Sequence, residues 1–348
     1  MPVIDATSEV AFMSRAIELA RRGLYTTKPN PRVGCVIVKN NRILSEGFHQ
    51  QAGEDHAEIV ALKQLTNPAN ARGATVYVTL EPCSHTGKTP PCSDALINAG
   101  IACLVYGMSD PNPQVNGSGL QKLRNAGIVV DGPVLESECR ALNPGFIKRM
   151  QTGLPYVRCK LAMSLDGRTA MASGESQWIT GEAAREDAQL LRAQSCAIIT
   201  GVGTILKDNP SLTVRSEQLS ASVKSSQPLR VILDRNNRTP KNAKIWQQPG
   251  DTLLINNCSD LKTVLKTLAD KQCNEVLIES GATLAGAFVQ QGLVDEFIIY
   301  IAPTFLGSNA KPLLQLPFEK MSEQLKMHIN DICAVGNDWR ITATPVRH

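Results

Sequence analysis

The chain has 348 residues, a length typical of two domains. A net charge of +4 and an aromatic content of 4% argue against a basic, base-stacking surface for nucleic acid. No apolar run reaches the ~18 residues of a membrane-spanning helix, and the N-terminus lacks the basic and apolar regions of a secretory signal. We therefore expect a cytoplasmic protein whose ten cysteines are reduced, with no nucleic-acid or membrane partner.

The first 150 residues alternate helical and extended patterns. We predict helices over residues 8–22, 56–65 (capped by Asp55) and 92–99, and strands over 34–38, 43–49, 75–80 and 102–107. Asn40 and Asn41 mark a hairpin turn between the first two strands. A helix, a strand at 128–130 and a further helix follow, and residues 151–155 break the pattern. The boundary predicts an α/β domain over 1–150 and a second domain over 151–348.

One histidine and two cysteines have the spacing of a catalytic zinc site. His56 and Glu58 begin the second predicted helix, and Cys83 and Cys92 follow the next strand. Three ligands leave the fourth tetrahedral position open to water. Glu58 is not needed as a ligand, so it is available to move protons. The pattern is that of zinc deaminases, except that eight residues separate the cysteines.

Other interpretations of these residues remain open. A structural zinc would need a fourth ligand, for which His85 is a candidate, although we favour His85 as a substrate contact. Lys88 would place a cation near an anionic substrate, or it is simply a solvated lysine. A polynucleotide (tRNA-type) zinc deaminase with a C-terminal domain that is not a reductase would share His56, Glu58 and the cysteines. A zinc-stabilised binding protein would need no Glu58.

The second half begins a new α/β pattern with a mostly parallel sheet. We predict strands over residues 156–164, 197–200, 229–233, 252–255, 275–278 and 297–301, helices over 180–194, 261–268 and 283–291, and a polar loop over 216–227. No G-x-G-x-x-G follows a strand. The small residues at 201–204 and 279–287 lie between a strand and a helix, where backbone N–H groups bind phosphates, although such turns are more often simply tight packing.

The motifs of both halves together resemble the bifunctional deaminase–reductase family of riboflavin biosynthesis. The matching segments are residues 27–34, 56–58, 81–92, 164–170, 173–180 and 208–215, in the family's order and with its long loop between the cysteines. The resemblance implies a cytidine-deaminase-like three-layer sandwich followed by a dihydrofolate-reductase-like domain. It implies zinc-dependent removal of the 2-amino group of 2,5-diamino-6-(5-phosphoribosylamino)pyrimidin-4(3H)-one, then NADPH-dependent reduction of 5-amino-6-(5-phosphoribosylamino)uracil to the ribitylamino product.

The resemblance also implies roles for individual residues. In the deaminase these are the ligands His56, Cys83 and Cys92, the proton shuttle Glu58, and the substrate contacts Asn30, His49 and His85. Cofactor contacts in the reductase are Ala162, Trp178, Thr204, Asp208, Arg235, Gly281, Ala282, Thr283, Leu284, Ala285, Gly286 and Ala287. Substrate contacts are Lys160, Ser176, Arg192, Leu212, Arg215 and Glu279. Arg192 and Arg215 can grip the 5′-phosphate. We also expect a homo-oligomer, whose size the sequence does not give.

Overall fold

A computed structural model describes residues 6–84, 91–113, 115–257 and 260–346. Contacts within the chain divide it into two compact units, Met1–Gly153 and Leu154–His348. Helix α6 (Pro144–Thr152) closes the first unit, and it ends where Gly153 adopts a left-handed conformation with φ of 70°.

The first unit is built on a five-stranded sheet. Its strands are β1 (Gly34–Lys39), β2 (Arg42–Phe48), β3 (Thr75–Val78), β4 (Cys103–Tyr106) and β5 (Val129–Asp131), in the order β2-β1-β3-β4-β5. The predicted turn at Asn40 and Asn41 is confirmed, because both have positive φ and join the antiparallel strands β1 and β2. Strands β3, β4 and β5 run parallel.

Helices cover both faces of this sheet. They are α1 (Ala6–Arg21), α2 (Ala57–Lys63), α3 (Cys92–Ala99), α4 (Ser118–Asn125), α5 (Glu136–Leu142) and α6. One core lies between the sheet and α2, α3 and α4, and includes Ala61 and Leu96. Another lies between the sheet and α1, α5 and α6, and includes Met13 and Phe146. Alternate strand residues supply the two cores, so the three-layer prediction is confirmed.

The second unit contains an eight-stranded sheet. Its strands are β6 (Tyr156–Ser164), β8 (Ala197–Gly201), β9 (Leu229–Leu233), β10 (Thr252–Ile255), β11 (Glu275–Ile278), β12 (Glu296–Ala302), β14 (Met327–Val335) and β15 (Asp338–Pro345), in the order β10-β9-β8-β11-β6-β12-β15-β14. A separate pair joins β7 (Arg168–Ala170) to β13 (Lys311–Pro312). The first six strands in spatial order are parallel, as predicted. The antiparallel β14–β15 hairpin was not predicted.

The helices of the second unit are α7 (Glu182–Gln194), α8 (Val202–Asp208), α9 (Ala221–Ser225), α10 (Leu261–Asp270) and α11 (Ala282–Gln290). The prediction of a loop throughout residues 216–227 is wrong, because α9 lies within it. The hydroxyl of Ser220 caps this helix by accepting from the N–H of Val223. Among the described residues, no helix has both the length and the apolar character needed to cross a membrane.

Candidate active sites

The first site forms where three strands meet at one edge of the five-stranded sheet. The register pairs Gly34, at the start of β1, with Phe48 at the end of β2, and Cys35 with Val78 at the end of β3. The segments before β1, after β2 and after β3 therefore converge, and they carry Asn30, His49 and Cys83. Sheet topology thus brings together residues that are far apart in sequence.

Helix α2 delivers two further residues to this edge. His56 is the N-cap of α2, with extended backbone, and Glu58 lies in the first turn. The sequence predicted that both residues lie at the start of a helix, and this is confirmed. The predicted cap Asp55 is wrong by one residue, because its carboxylate instead pairs with Lys63. At the cap, the chain direction changes enough for the imidazole and the carboxylate to approach the same point.

The ligand atoms of His56, Cys83 and Cys92 lie within 4.8 Å of one another. The Nδ1 atom of His56 is 3.3 Å from the sulfur of Cys92 and 3.7 Å from that of Cys83. Zinc at normal bond lengths gives nitrogen–sulfur edges of about 3.6 Å in a tetrahedron. The donor set and its spacing therefore fit zinc, with one position open because Glu58 is not part of the cluster.

The environment of the two thiols favours thiolate formation at Cys83. Its pKa falls to about 4, first because the thiol of Cys92 donates to it, and further because His56 and the backbone N–H of Cys92 do so. The pKa of Cys92 rises, because that hydrogen bond and burial hold its proton. A thiolate already present at Cys83 is suited to bind a cation, and binding would release the proton of Cys92.

Glu58 is buried, with 3% of its surface exposed. Burial, reinforced by the charge of Cys83, raises the pKa of its carboxyl group to about 7. The side chain lies within hydrogen-bonding reach of Cys92. A carboxyl group in this setting can take up and release a proton near neutral pH, as a general acid–base requires.

Two of the predicted substrate contacts extend the cluster. The Nδ2 atom of Asn30 lies 3.1 Å from Nε2 of His49, and Nδ1 of His49 lies 3.0 Å from the backbone oxygen of Asp55. The rings of His49 and His56 meet edge to face, with centroids 5.5 Å apart. The structure therefore brings Asn30 and His49 beside the ligand cluster. His85 and Lys88 lie outside the described residues.

Glu81 was not singled out from the sequence, yet it holds the cysteine segment in place. This carboxylate is 3% exposed and accepts the backbone N–H groups of Asp110, Gly117 and Gly119 at 3.0–3.1 Å. Gly119 packs so closely that a Cβ there would lie 2.0 Å from the oxygen of Pro82. The signal was available as an acidic residue directly before Pro82 and Cys83.

The second site is a cleft of about 1520 Å³ in the second unit. It lies at the carboxyl ends of the parallel strands β6, β8, β9 and β11, where α/β sheets bind ligands. Most of the predicted reductase residues line it: Lys160, Ala162, Ser176, Trp178, Arg192, Thr204, Asp208, Leu212, Arg215, Arg235, Glu279, Gly281, Ala282, Thr283, Leu284 and Ala287. The cleft is large enough for a dinucleotide and a second ligand.

Two residues of the predicted cofactor loop face the protein interior. Ala285 is fully buried in the apolar core. A Cβ at Gly286 would lie 2.2 Å from the backbone oxygen of Gln315. Both residues belong to α11, which borders the cleft through Ala282 to Leu284 and again through Ala287. The small size of residues 285 and 286 is therefore explained by close packing, whereas Gly281 to Leu284 and Ala287 are available to a ligand.

Arg192 and Glu279 form a two-pronged ion pair in the cleft wall. The Nε and Nη2 atoms of Arg192 donate to the two carboxylate oxygens at 2.6 and 2.9 Å, and Nη1 donates to the backbone oxygen of Thr213. Burial would raise the pKa of Glu279, but the charge and hydrogen bonds of Arg192, together with the charges of Lys160 and Arg215, lower that pKa. Arg192 therefore meets any anionic ligand with its charge already balanced.

Trp178 lies at the mouth of the cleft, with 69% of its surface exposed. The guanidinium of Arg185 stands over its ring, 4.6 Å from the centroid, and donates to the backbone oxygen of Thr180. Arg185 was not predicted as a site residue. An arginine seven residues before Arg192, the predicted contact on α7, carries no distinctive pattern.

Comparisons with known proteins agree with both halves. Residues 6–108 match the cytidine and deoxycytidylate deaminase zinc-binding region, and residues 155–341 match the RibD C-terminal domain. The riboflavin biosynthesis protein RibD of Escherichia coli (strain K12) is 50% identical, covering 94% of this chain and 96% of the relative. That of Haemophilus influenzae is 44% identical over 98% of each chain.

Solved structures give the same result. RibD from Acinetobacter baumannii, form 1, superposes with a TM-score of 0.94 at 47% identity, covering 99% of this chain and 100% of that one. A diaminohydroxyphosphoribosylaminopyrimidine deaminase/5-amino-6-(5-phosphoribosylamino)uracil reductase from Thermotoga maritima gives 0.89 at 33% identity, covering 98% and 99%.

Fold and sites together define an enzyme that joins a zinc-dependent deaminase domain to a reductase domain. The chain belongs to the RibD family of bifunctional deaminase–reductases in riboflavin biosynthesis. The competing prediction of a polynucleotide deaminase without a reductase is not favoured, because residues 155–341 match the family's own C-terminal domain.

Proposed function

We propose that the chain removes the amino group of a diaminohydroxyphosphoribosylaminopyrimidine and then reduces 5-amino-6-(5-phosphoribosylamino)uracil. The Thermotoga maritima relative carries both activities in its name. The observation that carries the proposal is the placement of buried Glu58 beside the cluster of His56, Cys83 and Cys92. The cleft beside Lys160 and Glu279 supports the second reaction.

In the deaminase, His56, Cys83 and Cys92 would hold zinc, and Glu58 would move the protons. Zinc supplies Lewis-acid activation of water near neutral pH. Glu58 takes the proton of the attacking water and passes a proton to the departing amine, so that water is consumed and ammonia is released. Asn30 and His49 fix the pyrimidine through hydrogen bonds, and they are joined to each other by the 3.1 Å contact.

In the reductase, the residues of the cleft bind and orient two ligands. NADPH supplies the hydride that converts the ribosyl group to the ribityl chain. Trp178, Thr204, Asp208, Arg235 and the first turn of α11 would hold the cofactor, and the N–H groups of that turn favour phosphate. The substrate would be held by Lys160, Ser176, Leu212, Arg215 and the Arg192–Glu279 pair. Because Arg192 is already paired with Glu279, Arg215 is the arginine that would bind the substrate's phosphate.

We further propose a homo-oligomer and a cytoplasmic location. Strand β14 lies at an edge of the sheet, and Ile329, Ile332 and Trp339 of the β14–β15 hairpin are each 52% exposed. Exposed apolar edge strands favour pairing with another chain. A reducing compartment would keep Cys83 and Cys92 available to zinc. Sedimentation velocity and cell fractionation test the two proposals, and a monomer at micromolar concentration would contradict the first.

The two activities can be tested separately, because deamination must precede reduction. NADPH absorbance is followed with full-length protein supplied either with the diaminopyrimidine or with the deaminated uracil. We expect oxidation from both, and a zinc chelator should stop only oxidation that starts from the diaminopyrimidine. Failure to oxidise NADPH with the deaminated compound would contradict the reductase assignment. Oxidation from the diaminopyrimidine that survives removal of zinc would contradict the deaminase assignment.

A further inference from the structure

Lys160 has an unusual environment for a lysine in a cleft wall. No hydrogen bond or ion pair of its ammonium is found among the described parts of the chain, although the charge of Glu279 acts on it. Glu279 itself is occupied by both prongs of Arg192. An aromatic ring faces the ammonium: Nζ of Lys160 stands over Tyr300, 5.8 Å from the ring centroid.

Strand pairing sets this contact. β12 runs parallel to β6 in a register that pairs Ile298 with Lys160 and Tyr300 with Ala162. Residues two apart on a strand share a face, so Lys160 and Tyr300 lie on the face covered by α7. Lys160 and Ala162 line the cleft, whereas Tyr300 does not and is fully buried. The ring therefore packs beneath the ammonium and does not line the part of the cleft that a ligand would occupy.

A second layer of polar contacts fixes the ring. The hydroxyl of Tyr300 donates to Oδ2 of Asp187 at 2.6 Å. Arg340 donates from Nη1 to both carboxylate oxygens of Asp187, at 3.1 and 2.9 Å. Asp187 belongs to α7, which packs on this face of the sheet, and Arg340 belongs to the neighbouring strand β15, so a helix and a strand together hold the tyrosine. An anchored ring keeps one position while ligands enter and leave.

An aromatic ring beneath a lysine differs from a carboxylate partner in how many N–H donors of the ammonium it leaves for a ligand. A carboxylate would occupy one or two N–H groups of the ammonium, whereas a ring face attracts the whole cation and leaves all three donors for a ligand. Lys160 would thus present three donors to an oxygen of the substrate. The same ring disfavours rotation of the long side chain away from the cleft.

We propose that Tyr300 is a positioning residue of the reductase, which holds the ammonium of Lys160 in place by a cation–π contact. The inference rests on the proposed function, in which Lys160 contacts the phosphoribosyl substrate. It adds a residue that touches neither substrate nor cofactor. Its effect should fall on substrate affinity and leave the deaminase unchanged.

Ring electron density can be altered without altering ring size. In the full-length enzyme, Tyr300 is replaced by phenylalanine (Tyr300→Phe) or by 3,4,5-trifluorophenylalanine, introduced by nonsense suppression. Calorimetry gives the Kd of 5-amino-6-(5-phosphoribosylamino)uracil, and NADPH oxidation gives KM and kcat. Each preparation is also assayed for deamination, which reports that the first unit is intact, and its thermal unfolding is followed to show that the second unit, which carries the substitution, is folded. The pair is repeated with Lys160→Met, in which no cation faces the ring.

We expect Tyr300→Phe to bind the substrate more weakly than the unmodified enzyme, because the ring loses its hydrogen bond to Asp187. The trifluorinated ring should weaken binding about tenfold further relative to Phe. With Lys160→Met the two rings should give the same Kd. Equal affinity for the two rings when Lys160 is present would overturn the inference, and so would a difference that persists with Lys160→Met. An unmodified enzyme that never oxidises NADPH would overturn the proposed function itself and this inference with it.

Discussion

The two sites differ in how their charges are arranged before any ligand is bound. In the deaminase unit, Cys83 has its pKa lowered to about 4, and its sulfur lies close to two other ligand atoms. In the reductase unit the buried charges of Arg192 and Glu279 neutralise each other within a cleft of about 1520 Å³. One site holds a sulfur whose lowered pKa suits it to bind a metal, and the other is a spacious cleft with one internally neutral ion pair in its wall.

The difference follows from where each reaction gets its reactive group. A metal and one carboxyl group perform deamination, so a few side chains must converge within ångströms. A dinucleotide brings its own hydride, so the protein needs to orient two large molecules over a wide surface. We therefore expect single substitutions to abolish the first activity and to weaken the second by degrees.

Glu58→Gln should produce the largest effect. The amide keeps the size of the side chain but cannot carry the proton, so we expect deamination to fall about 10³-fold. Zinc content should not change, because Glu58 is not a ligand, and reduction of the uracil intermediate should continue at its normal rate. Ammonia release, elemental analysis and NADPH oxidation measure the three quantities.

The matched control is Glu138→Gln, on the surface of α5 and exposed to solvent. It should leave both activities unchanged. Deamination that persists in Glu58→Gln at more than about a tenth of the normal rate would remove Glu58 from the proton transfer. A loss of zinc would show instead that Glu58 contributes to the metal site.

Glu279→Gln should reduce the reductase activity about 10²-fold and lower the free energy of unfolding of the second unit by about 3 kcal/mol. Removing one partner of a buried ion pair leaves Arg192 uncompensated, which is costly. The double variant Arg192→Met/Glu279→Met should recover most of the stability but not the activity. Calorimetry and NADPH oxidation separate the two effects. Recovery of activity along with stability would show that the pair serves only packing.

Glu279 also gives a pH prediction. Its pKa in the folded protein is lower than in the unfolded chain. Its contribution to stability is therefore fully present above the unfolded pKa of about 4.3, and it is lost as the pH falls through the lower folded value. Below about pH 4 the stability of Glu279→Gln should fall less steeply than that of the unmodified protein. If the stability of the two proteins fell equally steeply with pH, the lowered pKa of Glu279 would be contradicted.

Glu81→Gln should have a smaller effect, confined to the deaminase. One oxygen still accepts, but the amide nitrogen meets backbone N–H groups, so we expect about 2 kcal/mol less stability in the first unit. Zinc affinity should fall about tenfold because Cys83 lies two residues away. Competition with a chromophoric chelator measures the zinc affinity. The absorption spectrum of the cobalt-substituted protein reports the geometry of the thiolate ligands. Glu46→Gln, whose carboxylate forms a partly exposed ion pair with Arg15 away from the cysteines, is the control. Equal zinc affinity in the two variants would contradict the role of Glu81.

The sequence predicts the compact deaminase site better than the extended reductase cleft. Metal ligands need few residue types at restricted spacing, so chemistry alone predicts His56, Cys83 and Cys92, with Glu58 as the proton carrier. The structure brings the three ligand atoms within 4.8 Å of one another and places Glu58 beside Cys92. The cleft residues were found only through resemblance. Small residues near a strand end suit phosphate binding and tight packing equally, and at Ala285 and Gly286 the packing explanation is the one that the structure supports.

The regular elements were predicted with similar limits. Strands β9, β10 and β11 have the predicted bounds, because each is a short apolar run between polar breaks, whether it is fully buried as β11 is or partly buried as β10 is. Helix α9 and the β14–β15 hairpin were missed. Only one side chain of α9 is buried, and β14 is mostly exposed, so neither has an apolar pattern. Their existence depends on local capping and on pairing with distant strands.

Arg185→Met should have the smallest effect. The methionine keeps the aliphatic length over the ring of Trp178 but removes the charge and the donation to Thr180. Because Trp178 is mostly exposed, the cation–π contact is worth about 0.5–1 kcal/mol, which corresponds to a two- to fivefold rise in the Kd of NADPH. Quenching of tryptophan fluorescence by NADPH measures that Kd, and kcat should not change. Lys262→Met, on α10, is the control. A hundredfold loss of NADPH affinity would mean that Arg185 binds the cofactor directly. The expectation that single substitutions weaken the reductase only by degrees would then fail at the mouth of its cleft.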